Sequence, residues 1–149
     1  MTAVLVDRSS LITIASIIAA FGIAMLYFRI QRELQMGELD EIVWLPWADW
    51  LLVAATFVCL LLVLVPVIVL PDTRVAAASA LAAVIMVAGY VLAILGHYRI
   101  ILSRQYLLFG DERTGSRINP EPAEFVIVVL TAFCAMLAFV LYAWKLGLP

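Results

Sequence analysis

Charge is missing from the places where most proteins carry it. Asp, Glu, Lys and Arg make up 13% of the 149 residues and hydrophobic residues 66%, well outside globular composition. The charges sit in short segments between four long apolar runs whose interiors hold none. Proton relays, ion-coupled transport and voltage sensing are built on intramembrane charge, so this gap argues against a secondary transporter acting alone. The connecting segments are too short to fold a soluble domain, which leaves a single domain.

Cysteine is equally sparse. Cys59 and Cys134 each fall midway along an apolar run, where a thiol behaves as a small hydrophobe, and their spacing gives neither a disulfide framework nor a metal knuckle. There is one histidine, and no nucleophile motif or zinc spacing. Gly110 to Gly115 lacks the Lys and Ser/Thr that a phosphate loop needs. No cofactor or metal is expected. A net charge of −2 without a basic cluster gives no footprint for nucleic acid.

What the chain does have is length and apolarity. Val75 to Tyr98 is an uncharged run of 24 residues dense in small residues, chiefly alanine, long enough to cross a bilayer core of about 30 Å and slim enough to let other helices approach closely. It reads as the central helix. Its apolar pattern continues through Arg99 and Arg104 to Phe109, before Gly110; as one helix from Arg74 it would reach about 54 Å, overshooting the membrane. The first run, Leu11 to Phe28, follows capping candidates Asp7, Ser9 and Ser10 and can continue helically to about Met36. With Asp7 cancelling Arg8 ahead of a run longer than a signal core, it reads as a retained span. Glu38 to Asp49, with Trp44, Trp47 and Trp50 around Pro46, reads as an interfacial connector. Trp50 to Leu70 is the second run, with Pro66 favouring a kink. The short turn Pro71–Asp72–Thr73 makes runs two and three antiparallel neighbours. A polar loop then leads to Asn119–Pro120 and the fourth run, Ala123 to Trp144. The expected fold is an all-α integral membrane protein: an antiparallel four-helix transmembrane bundle, spans about 11–28, 50–70, 75–98 and 123–144, whose long third helix extends past the membrane.

Basic residues set the orientation. Three of them (Arg8, Arg74, Lys145) fall on the side of the termini and six on the side of the first and third connectors. The positive-inside rule then puts those connectors in the cytoplasm and both termini outside, in a multi-pass protein of a bacterial inner membrane.

Polarity within the runs lies in stripes at helical spacing. Thr13, Ser16, Ala20, Ala24 and Tyr27 share a face, as do Asp49, Thr56, Cys59 and Val63; Ser79, Ala83, Met86, Tyr90, Ala93, His97 and Arg104; and Thr131, Cys134, Ala135, Ala138 and Tyr142. Such stripes are expected to face protein. Thr13, Ser16, Thr56, Ser79 and Thr131 are accordingly packing or pathway candidates. Tyr27, Asp49, Tyr90 and His97 meet at the cytoplasmic boundary as a candidate polar site, where a carboxylate would raise the imidazole pKa and fix its tautomer. Arg29, Arg32, Arg99 and Arg104 form a basic collar suited to anionic lipid or an acidic partner segment, or to simple anchoring by snorkelling, with Glu33, Glu38, Asp40 and Glu41 as counter-ions.

Together these features imply a non-enzymatic membrane protein that assembles through small-residue helix faces as a subunit of a homo-oligomer or a larger membrane complex, in contact with membrane lipid. One alternative is an ion channel or membrane-permeabilising effector formed by a homo-oligomer. The second is a membrane enzyme that uses His97, Asp49 and the arginines on a lipidic substrate.

Overall fold

The computed structural model describes residues 7–37, 46–97 and 122–147. Among these, the elements are α1 (Arg8–Gly37), α2 (Trp47–Phe57), a π-helical segment (Val58–Leu64), α3 (Val65–Val69), α4 (Arg74–His97) and α5 (Pro122–Lys145). From α2 to α3 the chain is one uninterrupted helical rod. Four helices are therefore long and apolar enough to cross a membrane.

The starts and stops follow local chemistry. α1 opens at Asp7: the Leu11 N–H makes the first intrahelical bond, to the Asp7 carbonyl at 3.1 Å, and the Asp7 carboxylate accepts from the Ser9 hydroxyl and from backbone N–H groups of the first turn, which have no intrahelical acceptor. The second rod begins at Trp47 rather than Trp50, so Trp47, Ala48 and Asp49 form a first helical turn instead of the end of an interfacial connector. Residues 38–45 of that connector lie outside the described residues. Pro66 produces a widened helix: it has no N–H to donate and its ring crowds the carbonyl four residues back, and just before it the Val65 N–H bonds five residues back to Leu60. The proposed extension of the third helix beyond Tyr98 also lies outside the described residues.

α4 is the central helix. Over an apolar 18-residue stretch of it 44% of residues are buried, against 17–33% in the corresponding stretches of the other three, and it contacts every other helical element. Small residues make this closeness possible. A β-carbon added to Gly89 would run into the Thr131 side chain of α5, and one added to Gly22 of α1 into the Thr56 side chain of α2. Large apolar side chains point away from the protein instead: Ile17, Phe133 and Ile68 are 64%, 61% and 74% exposed. With small residues inside and leucine, isoleucine and phenylalanine outside, close contact rather than water exclusion holds the helices together, as lipid surroundings demand.

Two apolar clusters occupy the interior. One joins Leu11, Ala15 and Ile18 to Cys59, Val63, Val67, Ala76, Ala80 and Ala83. The other gathers Ala48, Leu51 and Leu52 of α2 with Tyr90 and Ala93 of α4 and Val128 of α5. The polar site adjoins the second.

Candidate functional site

The site begins with an uncapped helix. Pro46 precedes α2 in an extended conformation and supplies no side-chain cap, so the first-turn amides need acceptors from elsewhere. Glu124, in the first turn of α5, provides one: its Oε1 accepts the Ala48 N–H at 2.7 Å, and its side chain is fully buried. Asp49, one residue on, is also fully buried, and its Oδ1 lies 3.3 Å from Nε of Arg29 on α1. Both carboxylates stand at the positive end of α2, where anions are favoured. The guanidinium neutralises Asp49 in a setting where an unpaired charge is costly.

Aromatic side chains close around these groups. Trp47 meets Phe125 edge to face, centroids 5.4 Å apart, and its buried Nε1 has no hydrogen-bond partner among the described residues. Tyr90 of α4 is 3% exposed and stands edge-on to Phe21. Beside it a cleft of about 260 Å³ runs between α1 and α4, lined by Met25, Phe28, Arg29, Arg32, Tyr90 and Ile94. Each of the four long apolar helical rods thus contributes to one polar end, through Arg29, Asp49, Tyr90 and Glu124.

The structure regroups the residues singled out from sequence. Asp49 and Tyr90 belong to this end together, but Tyr27 does not: it is 59% exposed on α1 and accepts a hydrogen bond from Gln31 at 2.7 Å. The side chain of His97, and the whole of Arg99 and Arg104, lie outside the described residues. Arg29 is buried against Asp49 rather than turned to headgroups, whereas Arg32 remains exposed on the cleft. Thr56, Ser79 and Thr131 are buried between helices, with the Thr56 hydroxyl donating to the Leu52 carbonyl at 2.8 Å. Thr13 and Ser16 face outward. Cys59 is buried and Cys134 exposed.

Glu124 and Trp47 were not among the sequence candidates. A signal for Glu124 existed: it lies seven residues before Thr131, so the small-residue stripe of α5 passes through it when extended by two turns. Arg29 carries the same kind of signal, 18 residues or five full turns beyond the buried Leu11.

Among the described residues no three His, Cys, Asp or Glu side chains come together to hold a metal ion. A buried carboxylate held by a guanidinium is built to be charged and immobile, which suits structural positioning more than proton transfer. No family model, curated protein or solved structure matches the chain.

Proposed function

We propose that this protein is a non-enzymatic membrane subunit that assembles, through a small-residue face of α1, into a homo-oligomer or a larger membrane complex. The supporting observation is a division among the stripes. Those of α2 and α4, and most of that of α5, are consumed in packing the protomer, whereas Thr13, Ser16, Ala20 and Ala24 stand exposed on α1. They lie opposite the buried face of Leu11, Ala15, Ile18 and Gly22, and Ser16, Ala20 and Ala24 repeat every fourth residue, the spacing at which membrane helices approach closely.

In this reading the helices run antiparallel in an inner membrane, the polar end of Arg29, Asp49 and Glu124 faces the cytoplasm, both termini lie outside, and α4 continues past the membrane. The same outward stripe favours a second reading. A ring of protomers joined along it would place Thr13 and Ser16 near a shared axis, as a channel or permeabilising effector requires. The enzyme reading draws nothing from Asp49, whose carboxylate is held by Arg29.

The test is the mass of the full-length protein in lipid nanodiscs, followed by ion flux in liposomes. Wild type is expected as a defined oligomer, and Ala20→Phe with Ala24→Phe should shift it to monomer, because the substituted side chains would reach only lipid in an isolated protomer. A wild type that purifies alone as a monomer would overturn homo-oligomerisation. Flux that disappears with the double variant would select the channel reading.

A further inference from the structure

Building on the assembly through α1 proposed above, we infer that the exposed face of this helix pairs with the same face of a second copy as a parallel, two-stranded coiled coil. From Thr13 the exposed residues Ser16 and Ala20 follow at steps of three and four, and the same steps continue through Ile23, Tyr27, Ile30 and Leu34. A strict alternation of three and four is the 3.5-residue repeat of a left-handed supercoil. The seam lies opposite Leu11, Ile18 and Arg29, which are buried against the rest of the protomer, and Ala24 flanks it.

The seam changes chemistry along its length as a pair passing from lipid to water requires. Thr13, Ser16 and Ala20 are small, and in lipid it is close approach that favours association. Ile30 and Leu34 lie beyond Arg29, whose partner Asp49 is in the first turn of α2, and they are interspersed with Gln31, Arg32 and Gln35. At that level apolar side chains gain by leaving water, yet these two are 55% and 65% exposed. The polar groups of the seam are already prepared for burial. The Thr13 hydroxyl donates to the Ser9 carbonyl at 2.8 Å and the Tyr27 hydroxyl accepts from Gln31 at 2.7 Å, so covering them leaves neither oxygen without a partner.

A second copy is the occupant that fits. Copies in one membrane share one orientation, so two α1 helices meet in parallel, and a two-fold axis sets small residues against small and large against large. An antiparallel helix of the same kind would oppose them. The seam spans 22 residues, a strip about 33 Å long and about 12 Å wide, and covering its ridges on both copies removes on the order of 1,000 Å², the area a specific interface needs. Because both copies use the same patch, the contact closes at two.

The experiment is disulfide trapping of the full-length protein in liposomes, with copper phenanthroline as oxidant and Cys134→Ser removing the exposed native thiol. Ile30→Cys and Leu34→Cys, introduced singly, should each give at least about tenfold more covalent dimer than Phe28→Cys or Gln35→Cys on the flanking face, because a disulfide needs Cβ atoms about 4 Å apart. Independently, Ile30→Lys with Leu34→Lys, both exposed within the protomer, should convert a dimer to a monomer in nanodiscs. A wild-type monomer would overturn homo-oligomerisation and this pairing together. An oligomer broken by Ala20→Phe with Ala24→Phe but not by the two lysines, with trapping even around α1, would keep the assembly and overturn the pairing. A complex of more than two copies would overturn the two-fold seam.

Discussion

Both ends of the molecule are tied together by arginine, in opposite ways. At the end where α3 stops and α4 starts, the Arg8 guanidinium donates to the Leu70 and Pro71 carbonyls at 2.8 and 2.9 Å, and Arg74 donates to the Leu146 carbonyl at 3.1 Å. These are carbonyls near helix ends, short of intrahelical partners and favourable to a cation. Water can reach the charges: the Arg74 and Asp72 side chains, 3.7 Å apart, are 45% and 56% exposed. At the other end the Arg29 and Asp49 side chains are 9% and 0% exposed. An arginine in reach of water can rely on neutral carbonyls, whereas one enclosed by apolar helices requires a carboxylate. The first arrangement is a clasp, and the second commits four helices to one geometry.

The largest effect should therefore follow from cutting the buried pair. Asp49→Ala is expected to cost about 3–5 kcal/mol, because it strands the Arg29 charge, whereas Asp72→Ala at the exposed end, which removes a solvated ion pair and the acceptor of the Arg74 N–H, should cost about 1 kcal/mol. Unfolding in mixed micelles measures both, and similar losses would erase the distinction between the ends. Replacing the pair together, Arg29→Met with Asp49→Leu, sharpens the comparison. Stability should return to near the wild-type value, since apolar substitutes commonly match a buried ion pair.

That pairing also marks the limit of what the sequence made legible. Apolar run length located the four helices that are long and apolar enough to cross a membrane, and charge-free small residues identified α4 as the central helix; these follow from local composition. Periodicity also placed Thr56, Ser79, Ala83, Tyr90 and Ala93 on inward faces. What it could not supply was the partner of each face. Arg29 was grouped with a collar and Asp49 with His97, although both arginine and aspartate lie on buried stripes of adjoining helices. Nothing local to Glu124 names its partner, the Ala48 N–H, which lies 76 residues earlier. The α1 stripe was expected to face protein, and within the protomer it faces out. A helical repeat gives a direction around one axis, while contacts depend on how several axes are arranged.

Glu124 provides the next test of the two ends. Removing its carboxylate with Glu124→Ala leaves the buried Ala48 N–H without its acceptor, which should cost about 1–3 kcal/mol. Glu124→Gln keeps an oxygen in place and should cost less. At the opposite end Arg8→Ala removes a donor from two carbonyls beside an exposed side chain, and water can replace it with little loss. Amide hydrogen exchange should follow the same order: Ala48 should exchange faster in Glu124→Ala, while the helix that ends at Leu70 should change little in Arg8→Ala. Comparable acceleration at both ends would mean that the buried cap is no more demanding than the wet one.

The smallest effect belongs to Asp7, at the water-exposed end. The Ser9 hydroxyl is the main cause holding its carboxyl below the ordinary value of 3.8; slight desolvation opposes it, and the backbone N–H groups of Ser9, Ser10 and Arg8 add to the lowering. A depressed folded-state pKa stabilises the protein above the unfolded value, and that stabilisation is lost as pH falls through the folded one. The Asp7 contribution should therefore be constant from neutral pH down to about pH 5 and decline only in the acid range below its unfolded value. Ser9→Ala should move the carboxyl back towards 3.8 and flatten that acid decline, as an NMR titration of Asp7 would reveal. The change should be small beside the loss in Asp49→Ala, because a carboxylate in water keeps its hydration when its partner is removed. If Ser9→Ala destabilised α1 as much as Asp49→Ala destabilised the bundle, exposure would no longer explain why polar contacts are dispensable at one end and exacting at the other.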